Sequence, residues 1–206
     1  MTSLAQSFPT RDRMQNDCGL LDFDLKDEQA ELLIEYADIL SRRSLKTNLV
    51  GPLEISRLWR RHILESISYI QLLDWNRRVV DIGSGAGFPG LVLGILGMDM
   101  ILLEPRRKRH LFLSHVIKRL DLEGTKAIPA RIEKVNQDIL GDQFIARTVA
   151  SPDVLLSMIR TKTEGMAKLV YRVPPDKELI KGNKYINLPC PPLDRPGFLV
   201  QYRTCS

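Results

Sequence analysis

The segment from residue 79 to residue 90 combines an apolar stretch with closely spaced glycines. It reads Val79-Val80-Asp81-Ile82-Gly83-Ser84-Gly85-Ala86-Gly87-Phe88-Pro89-Gly90. Glycine lets the backbone turn tightly and approach a ligand closely. A buried strand that runs into such a turn and then into a helix predicts a ligand site, because open α/β sheets bind ligands beyond the carboxyl ends of their strands.

The glycines alone are compatible with two cofactors. Gly85, Gly87 and Gly90 match G-x-G-x-x-G, which is typical of dinucleotide binding, but there the first glycine follows the strand directly. Here Asp81 and Gly83 come first. A carboxylate at this point repels a pyrophosphate and attracts an ammonium group, such as that of S-adenosylmethionine. The pattern is the first motif of Rossmann-like methyltransferases, so we expect S-adenosylmethionine to bind at Asp81, Gly83, Gly85 and Gly87.

Further cofactor contacts are expected after the next two predicted strands. Glu104 follows the apolar run 100–103, and a carboxylate there can accept hydrogen bonds from both ribose hydroxyls. Ile132 can pack on an adenine ring, and Glu133 or nearby backbone can bind the edge of that ring. The alternative for both glutamates is a solvated position on the surface.

Arg147 is the candidate for contact with the group that is modified. It follows the fourth predicted strand, and residues 144–151 contain neither an Asn/Asp-Pro-Pro-aromatic loop nor a cysteine nucleophile. A guanidinium can donate two hydrogen bonds to guanine O6 and N7, or it can hold a phosphate or carboxylate. Guanine N7 has an in-plane lone pair and no proton, so its methylation requires orientation and no general base.

A basic cluster over residues 106–109 indicates a nucleic-acid partner. Its cations lie in the first turn of a predicted helix, where each opposes the helix dipole by about 0.3–1 kcal/mol. Bound phosphates would account for this placement, and a solvated basic face is the alternative. Two arginines of an earlier helix add to the charge. We therefore predict RNA contacts by Arg106, Arg107, Lys108, Arg109, Arg60 and Arg61.

The surrounding elements predict an α/β fold. Helices are expected over residues 24–42 and 53–73, with His62 buried and hydrogen-bonded on the second. From residue 77 onward, short apolar runs alternate with helical stretches, which indicates βαβ units and a mostly parallel sheet. The last two runs lack an intervening helix and predict an antiparallel hairpin. The expectation is one compact domain with a Rossmann-like methyltransferase fold, divided into a flexible arm (1–23), a helical cap (24–76) and the core (77–206).

Composition restricts the class of protein. With 206 residues, 44% hydrophobic and 27% charged, the chain suits one globular domain. Three cysteines and three histidines are too dispersed for a disulfide framework or a zinc site, so we expect no metal. No run of about 18 apolar residues predicts a membrane span, and the first residues lack the core of a signal peptide. We expect a cytoplasmic monomer; the net charge of +5 is by itself a weak indicator of RNA binding.

At these residues the sequence resembles the bacterial glucose-inhibited division protein B family, the 16S rRNA guanine-N7 methyltransferases. The resemblance covers about residues 25–155, and Arg43, Glu104-Pro105 and residues 169–173 differ from the family's usual residues. It implies 16S rRNA or the 30S subunit as partner, RNA contacts around Lys108 and Arg109, and S-adenosylmethionine contacts at Gly83, Phe88, Ile132, Glu133 and Arg147. The motifs that carry it are Thr47-Asn48-Leu49-Val50, Arg61-His62-Ile63-Leu64-Glu65-Ser66, the glycine segment, Lys108-Arg109 with Leu111-Phe112-Leu113, Ala130-Arg131-Ile132-Glu133 and Ala146-Arg147-Thr148-Val149-Ala150-Ser151.

Two other functions are consistent with parts of the pattern. The literal G-x-G-x-x-G allows a nicotinamide-dependent oxidoreductase, for which NADH binding without S-adenosylmethionine binding would be diagnostic. The basic cluster allows a catalytically silent RNA-binding assembly factor. Asp81, Glu104 and Arg147 together favour the methyltransferase over both.

Overall fold

The structure is a computed structural model that describes residues 8–47, 49–177 and 184–204. Among these residues, seven strands form one sheet in the order β3-β2-β1-β4-β5-β7-β6. The five strands β1 to β5 pair in parallel, and β7 runs antiparallel to both β5 and β6. The predicted fold class, including the C-terminal antiparallel hairpin, is confirmed. The strands are β1 (Val79–Ile82), β2 (Met100–Leu103), β3 (Thr125–Ile128), β4 (Gln143–Ala146), β5 (Lys168–Val173), β6 (Lys184–Leu188) and β7 (Gly197–Arg203).

Helices cover both faces of the sheet. The strands β1, β2 and β4 are buried at every position, as expected for parallel strands with helices on each side. Alternate residues enter two separate clusters: Val79 packs on the side of the cap, and Val80 and Ile82 pack on the other side. The helices are α1 (Arg11–Gly19), α2 (Asp27–Thr47), α3 (Pro52–Ile55), α4 (Leu64–Ile67), α5 (Gly90–Ile95), α6 (Arg107–Arg119) and α7 (Pro152–Arg160).

The N-terminal region differs from the predicted flexible arm. Residues 1–7 lie outside the described part of the chain, but residues 11–19 form α1. Met14 and Cys18, four residues apart on one face of α1, are completely buried in the main core. Asp17, also on α1, accepts a hydrogen bond from Trp59 Nε1 over 2.7 Å. This segment is therefore held by burial and by hydrogen bonding, whereas the boundaries at residues 24 and 77 stay predictions.

The predicted helix over residues 53–73 is broken into short turns. A π-helical turn spans Leu58–Ile63, and a 3-10 turn at Ser68–Leu72 follows α4. The Ser66 hydroxyl donates to the His62 carbonyl over 2.5 Å, and the Ser68 hydroxyl donates to the Glu65 carbonyl over 2.7 Å. Such side-chain bonds compete with the regular helical pattern. π-Helical turns occur frequently at functional sites, and this one carries His62 toward the glycine segment.

Candidate active site

A cavity of about 650 Å³ lies at the carboxyl ends of the parallel strands. This is a size typical of small-molecule sites and the position expected for a ligand in an open α/β sheet. The loops after β1, β2, β3 and β4 all contribute to it. Its walls include Leu49, Val50, Gly83, Ser84, Gly85, Phe88, Glu104, Arg106, Arg109, Arg131, Ile132, Glu133, Arg147 and Val149.

Asp81 does not line this cavity, and its predicted contact with a ligand ammonium group stays a prediction. The side chain is 0% exposed because it points to the cap side of β1, beneath the glycine segment. Its Oδ2 accepts a hydrogen bond from Gly90 N, the first residue of α5, over 3.0 Å. Burial raises the pKa of this carboxyl to about 7, against the opposing effect of its hydrogen bonds. Asp81 therefore holds the loop to α5.

The glycines of the segment serve two different purposes. Gly83 and Gly85 have positive φ, at 76° and 60°, and present backbone to the cavity. A Cβ at Gly83 would lie 2.6 Å from Val149 Cγ2. Gly87 lies outside the cavity walls, and its predicted cofactor contact stays a prediction. It allows close packing instead, because a Cβ there would lie 2.8 Å from both Leu91 Cβ and Tyr36 Oη.

Tyr36 is a residue of the site region that chemical reasoning on the sequence missed. Its hydroxyl donates to the Ala86 carbonyl over 2.7 Å, which ties α2 to the turn after β1. Helical spacing placed Tyr36 on the apolar face of its helix, but no feature of the sequence pointed to this hydrogen bond. The bond makes the shape of the glycine segment dependent on the cap.

Glu104 lies at the cavity wall and joins two loops. Its Oε2 accepts from Gly85 N over 3.0 Å, and its Oε1 accepts from Arg106 N over 2.8 Å. Each carboxylate oxygen has further lone pairs available for additional donors. The side chain is thus fixed in direction beside the cavity, where the sequence predicted contact with a ribose.

Ile132 and Glu133 form part of the opposite wall. They follow β3 in a short 3-10 turn, Ile132–Lys134. Ile132 is buried and offers an apolar surface, whereas Glu133 is exposed at the rim. Their positions are compatible with the predicted contacts to an adenine ring.

Arg147 is held from several sides at the cavity wall. Its Nη2 donates to His62 Nδ1 over 2.9 Å, and its guanidinium carbon lies 5.1 Å from the centre of the Phe88 ring. A buried carboxylate, Glu65, lies 3.7 Å from Arg147 Nη1. The Arg147 side chain is only 14% exposed. Its direction is therefore determined before any ligand binds.

His62 is neutral in this arrangement. Its Nε2 lies 2.7 Å from Glu54 Oε2, and its ring packs 5.0 Å from the Phe88 ring. Burial, together with the positive charge of Arg147, lowers the pKa of His62 to about 4. The neutral imidazole donates through Nε2–H to Glu54 and accepts at Nδ1 from Arg147, as expected for a buried, hydrogen-bonded histidine.

Glu65 is the second residue that chemical reasoning on the sequence missed. It is 1% exposed, and its Oε2 accepts a hydrogen bond from Arg172 Nε over 2.7 Å. Arg195 Nε lies 4.0 Å from the same oxygen. With Arg147, three guanidiniums surround one carboxylate and leave an excess of positive charge beside the cavity. Glu65 was visible in the sequence only as part of the quoted Arg-His-Ile-Leu-Glu-Ser motif.

Comparison with known proteins assigns the chain to a family. The family model described as rRNA small subunit methyltransferase G matches residues 29–187. The chain belongs to this family. The resemblance recognised from the motifs is thereby confirmed.

Relatives in the rRNA small subunit methyltransferase G family include three mycobacterial proteins of that name. The protein of Mycobacterium marinum is 43% identical over 142 residues, which are 66% of this chain and 62% of that protein. That of Mycobacterium leprae is 42% identical over 125 residues, 58% of this chain and 51% of that protein. That of Mycobacterium ulcerans is 41% identical over 149 residues, which are 69% of this chain and 87% of that protein. The chain therefore spans less than two thirds of the first two relatives.

Solved structures support the fold. MtNAS in complex with MTA and tNA aligns with a TM-score of 0.56 at 16% identity, over 100% of this chain and 90% of that one. A SAM dependent methyltransferase from Aquifex aeolicus aligns with a TM-score of 0.54 at 14% identity, over 79% of this chain and 98% of that one. At these identities the similarity shows the shared Rossmann-like architecture.

The predicted RNA-binding residues of this family member fall into two groups. Arg106 and Arg109 line the cavity, and Arg107 and Lys108 are exposed beside it. In the described residues, none of these four side chains takes part in an ion pair. They occupy the surface around the cavity entrance, and their contact with RNA stays a prediction.

Arg60 and Arg61 are engaged within the protein, and their predicted contact with RNA stays a prediction. Arg60 donates to the carbonyls of Pro192 and Leu193 over 2.6 and 2.9 Å. Arg61 pairs with Glu54 at 3.0 Å and lies 3.5 Å from an Asp194 carboxylate oxygen. The π-helical turn directs both side chains at the loop before β7. They therefore fasten the cap to the C-terminal hairpin.

Clustered metal-ligating side chains and long apolar helices are both missing from the described ranges. Within residues 8–47, 49–177 and 184–204, His, Cys, Asp and Glu side chains form no group of three or more that could hold a metal ion. In the same part of the chain, no helix has both the length and the apolar character needed to cross a bilayer.

Proposed function

We propose that this protein transfers the methyl group of S-adenosylmethionine to N7 of a guanine in 16S ribosomal RNA. The observation that carries the proposal is the match to the rRNA small subunit methyltransferase G family over residues 29–187. Relatives that bear this name are 41–43% identical over 125–149 residues. The position and walls of the cavity support it further.

The cavity walls suit S-adenosylmethionine. Gly83 and Gly85 present backbone, the fixed carboxylate of Glu104 can accept from ribose hydroxyls, and Ile132 offers an apolar surface for adenine. Phe88 contributes an aromatic wall near Arg147. When bound, S-adenosylmethionine supplies an electrophilic methyl group. The excess positive charge around Glu65 suits the carboxylate at the methionyl end of S-adenosylmethionine. Asp81 is buried and is therefore less suited to contact the ammonium group of that end.

The arrangement disfavours the nicotinamide alternative. In the literal G-x-G-x-x-G, only the first glycine, Gly85, reaches the cavity. Gly87 packs against Tyr36 and Leu91, and a Cβ at Gly90 would lie 2.5 Å from Asp81 Oδ2. The second and third glycines are therefore explained by packing within the protein, and the match to the fingerprint is coincidental.

Arg147 is the residue proposed to orient the base. Two of its contacts, to His62 and Glu65, hold the guanidinium in place, and its remaining N–H groups can donate to guanine O6. N7 gives its in-plane lone pair to the methyl carbon while the bond from that carbon to sulfur breaks, so no proton has to be removed. Alignment by a preorganised donor is the contribution expected from the protein.

The basic surface beside the cavity is the proposed site of approach for the RNA substrate. The substrate is 16S rRNA or the 30S subunit, approached through the basic surface at Arg106, Arg107, Lys108 and Arg109. We propose that the enzyme acts as a monomer and without a metal ion. Action on ribosomal RNA implies a cytoplasmic protein.

The test is transfer of labelled methyl from S-adenosylmethionine to 16S rRNA and to 30S particles that lack the modification, followed by chemical cleavage at 7-methylguanine. One cleavage site in labelled 16S rRNA is the expected result. Arg147→Lys should lower the single-turnover rate about 100-fold or more, since one oriented donor contributes about 10²–10³. The matched control, Arg160→Lys on the exposed end of α7, should keep the full rate. Binding of S-adenosylmethionine without label in either RNA substrate would overturn the proposal.

A further inference from the structure

A second concave surface lies between the C-terminal half of α2 and the outer face of α6. This groove, called here the α2–α6 groove, has a volume of about 500 Å³. Its polar walls are Glu35, Asp38, Arg42, Arg43, Lys46, His115 and Arg119. It is separate from the cavity described above, since the two share no wall residue.

The charge of the α2–α6 groove is predominantly positive. Its two acidic residues are neutralised within the protein, because Asp38 pairs with Arg42 at 2.8 Å and Glu35 pairs with Arg119 at 2.9 Å. Arg43 and Lys46 are exposed and form no ion pair with the described residues. Each acid is therefore balanced by one arginine, and these two cations remain available to an anionic partner.

Helix α6 connects the groove to the cavity. Arg109, near the beginning of α6, lines the cavity, and His115 and Arg119 line the groove. Lys108 lies on the same helical face as His115, seven residues earlier. From residue 107 to residue 119, α6 extends about 18 Å, which is about five phosphate spacings of a stacked strand at about 3.4 Å each. One strand of nucleic acid can therefore follow α6 from the cavity to the groove.

The helix dipole accounts for only part of this charge. Lys46 lies in the last turn of α2, where a cation is favourable. The cations at the start of α6 lie at the unfavourable end of their helix. Positive side chains that face one another from two helices also repel each other, unless an anion lies between them. An extended polyanion relieves this repulsion along the whole length of the groove.

We propose that the α2–α6 groove binds the phosphodiester backbone of RNA next to the nucleotide held in the cavity. This inference rests on the proposed function for the identity of the partner. Arg43 and Lys46 each contact a phosphate, and Lys108 continues the track toward the cavity. The groove supplies affinity and orientation without reading the base sequence, as contacts to phosphates do.

The test compares two double variants with the same change in charge. Arg43→Gln with Lys46→Gln alters the groove, and Arg160→Gln with Lys184→Gln removes two exposed cations away from it, one at the end of α7 and one on β6, at the edge of the sheet opposite β3. A 16S rRNA transcript is the probe, and its dissociation constant is measured between 0.05 and 0.2 M salt, roughly the range over which phosphate contacts dominate. The affinity for S-adenosylmethionine is measured for every variant.

In the groove variant, the logarithm of the binding constant should fall less steeply with the logarithm of the salt concentration, with a slope smaller by about 1.4. Its affinity at 0.1 M salt should be about 25-fold weaker. These values correspond to the loss of two phosphate contacts, each worth about 0.7 of slope and about five-fold in affinity. The control variant should differ from the wild type by less than about three-fold, because long-range charge effects are screened at this salt concentration. Both should bind S-adenosylmethionine like the wild type.

The remaining outcomes separate this inference from the proposed function. Wild-type slope and affinity in the groove variant, or an equal loss in the control, would overturn the groove proposal while methyl transfer by the wild type still stands. A loss seen only with 30S particles and not with naked RNA would also overturn it, since that result indicates an acidic protein partner. If the groove variant shows the expected loss but the wild type transfers no methyl to RNA, the groove proposal stands and the proposed function fails.

Discussion

Arg147 Nη2 donates a hydrogen bond to His62 Nδ1 over 2.9 Å. These residues are far apart in the chain, one in the π-helical turn of the cap and the other after β4. The bond requires a neutral imidazole, because a protonated His62 would present N–H and positive charge to the guanidinium. The charge state of His62 therefore controls the support of the residue proposed to orient the base.

His62 should make stability depend on pH in the acidic range. Its pKa is lowered from 6.5 to about 4 in the folded protein, so the unfolded chain binds the proton first on acidification. The stabilisation is complete above about pH 6.5 and is lost as pH falls to about 4, by about 3 kcal/mol. Urea unfolding of wild type and His62→Gln over this range should show the two stabilities converging toward low pH. A constant difference between the two proteins over this range would contradict the neutral assignment.

Asp81 should produce the opposite dependence. Its pKa is raised from 3.8 to about 7, so the folded protein binds the proton more tightly than the unfolded chain. The associated stabilisation is present at low pH and is lost as pH rises from about 4 to about 7, by up to about 4 kcal/mol. Relative to wild type, Asp81→Asn should become more stable across this window. Asp99→Asn, at a half-exposed carboxylate paired with Arg78, serves as the control and should not become more stable relative to wild type across this window. An unchanged difference for Asp81→Asn would show that the buried carboxyl is not protonated.

Gly87→Ala should destabilise the protein through packing as well as backbone conformation. Gly87 has φ of 110° and no room for a Cβ beside Tyr36 and Leu91. Gly97 has a similar φ of 104°, but a Cβ there would have no neighbouring atom within 4 Å. Gly97→Ala should therefore cost only the backbone strain of about 1–2 kcal/mol, and Gly87→Ala should cost about 1–3 kcal/mol more. Denaturant midpoints measure both, and equal losses would contradict the packing role.

Glu65→Gln should be strongly destabilising. It leaves Arg147, Arg172 and Arg195 close together without the carboxylate at their centre. Removal of one partner from a buried ion pair costs about 3–5 kcal/mol. Glu31→Gln, which breaks the exposed pair with Arg11, should cost less than about 1 kcal/mol.

A second substitution tests whether charge is the cause. Arg172→Gln added to Glu65→Gln removes one of the repelling guanidiniums and should restore part of the lost stability. If the double variant is no more stable than the sum of the two single losses predicts, the loss in Glu65→Gln does not come from repulsion by the Arg172 guanidinium.

Local patterns determined the sheet core and the position of the site. β-Branched runs, alternating with helical stretches, indicated β1 to β5, and the absence of a helix between the last two runs indicated the hairpin. The glycine spacing located the turn after β1, and Glu104, Ile132 and Arg147 each follow a strand at the edge where the cavity lies. These features depend on the period of the sequence and on the rule that carboxyl ends of parallel strands meet, so they can be read without coordinates.

Tertiary structure decided which side each residue faces and which charges meet. Asp81 belongs to the motif but faces the cap, since alternate residues of a strand point to opposite sides of the sheet. Gly87, in the turn after β1, packs against Tyr36 of the cap. The sequence predicted RNA contacts at Arg60 and Arg61. In the structure, Arg60 donates to carbonyls of a loop more than 130 residues later, and Arg61 pairs with Glu54 and with Asp194 of that loop. The enclosure of Glu65 by three guanidiniums likewise joins the cap, the strand ends and the hairpin. Ion pairs and hydrogen bonds form between the side chains that the fold brings together. Spacing along the chain therefore does not predict them.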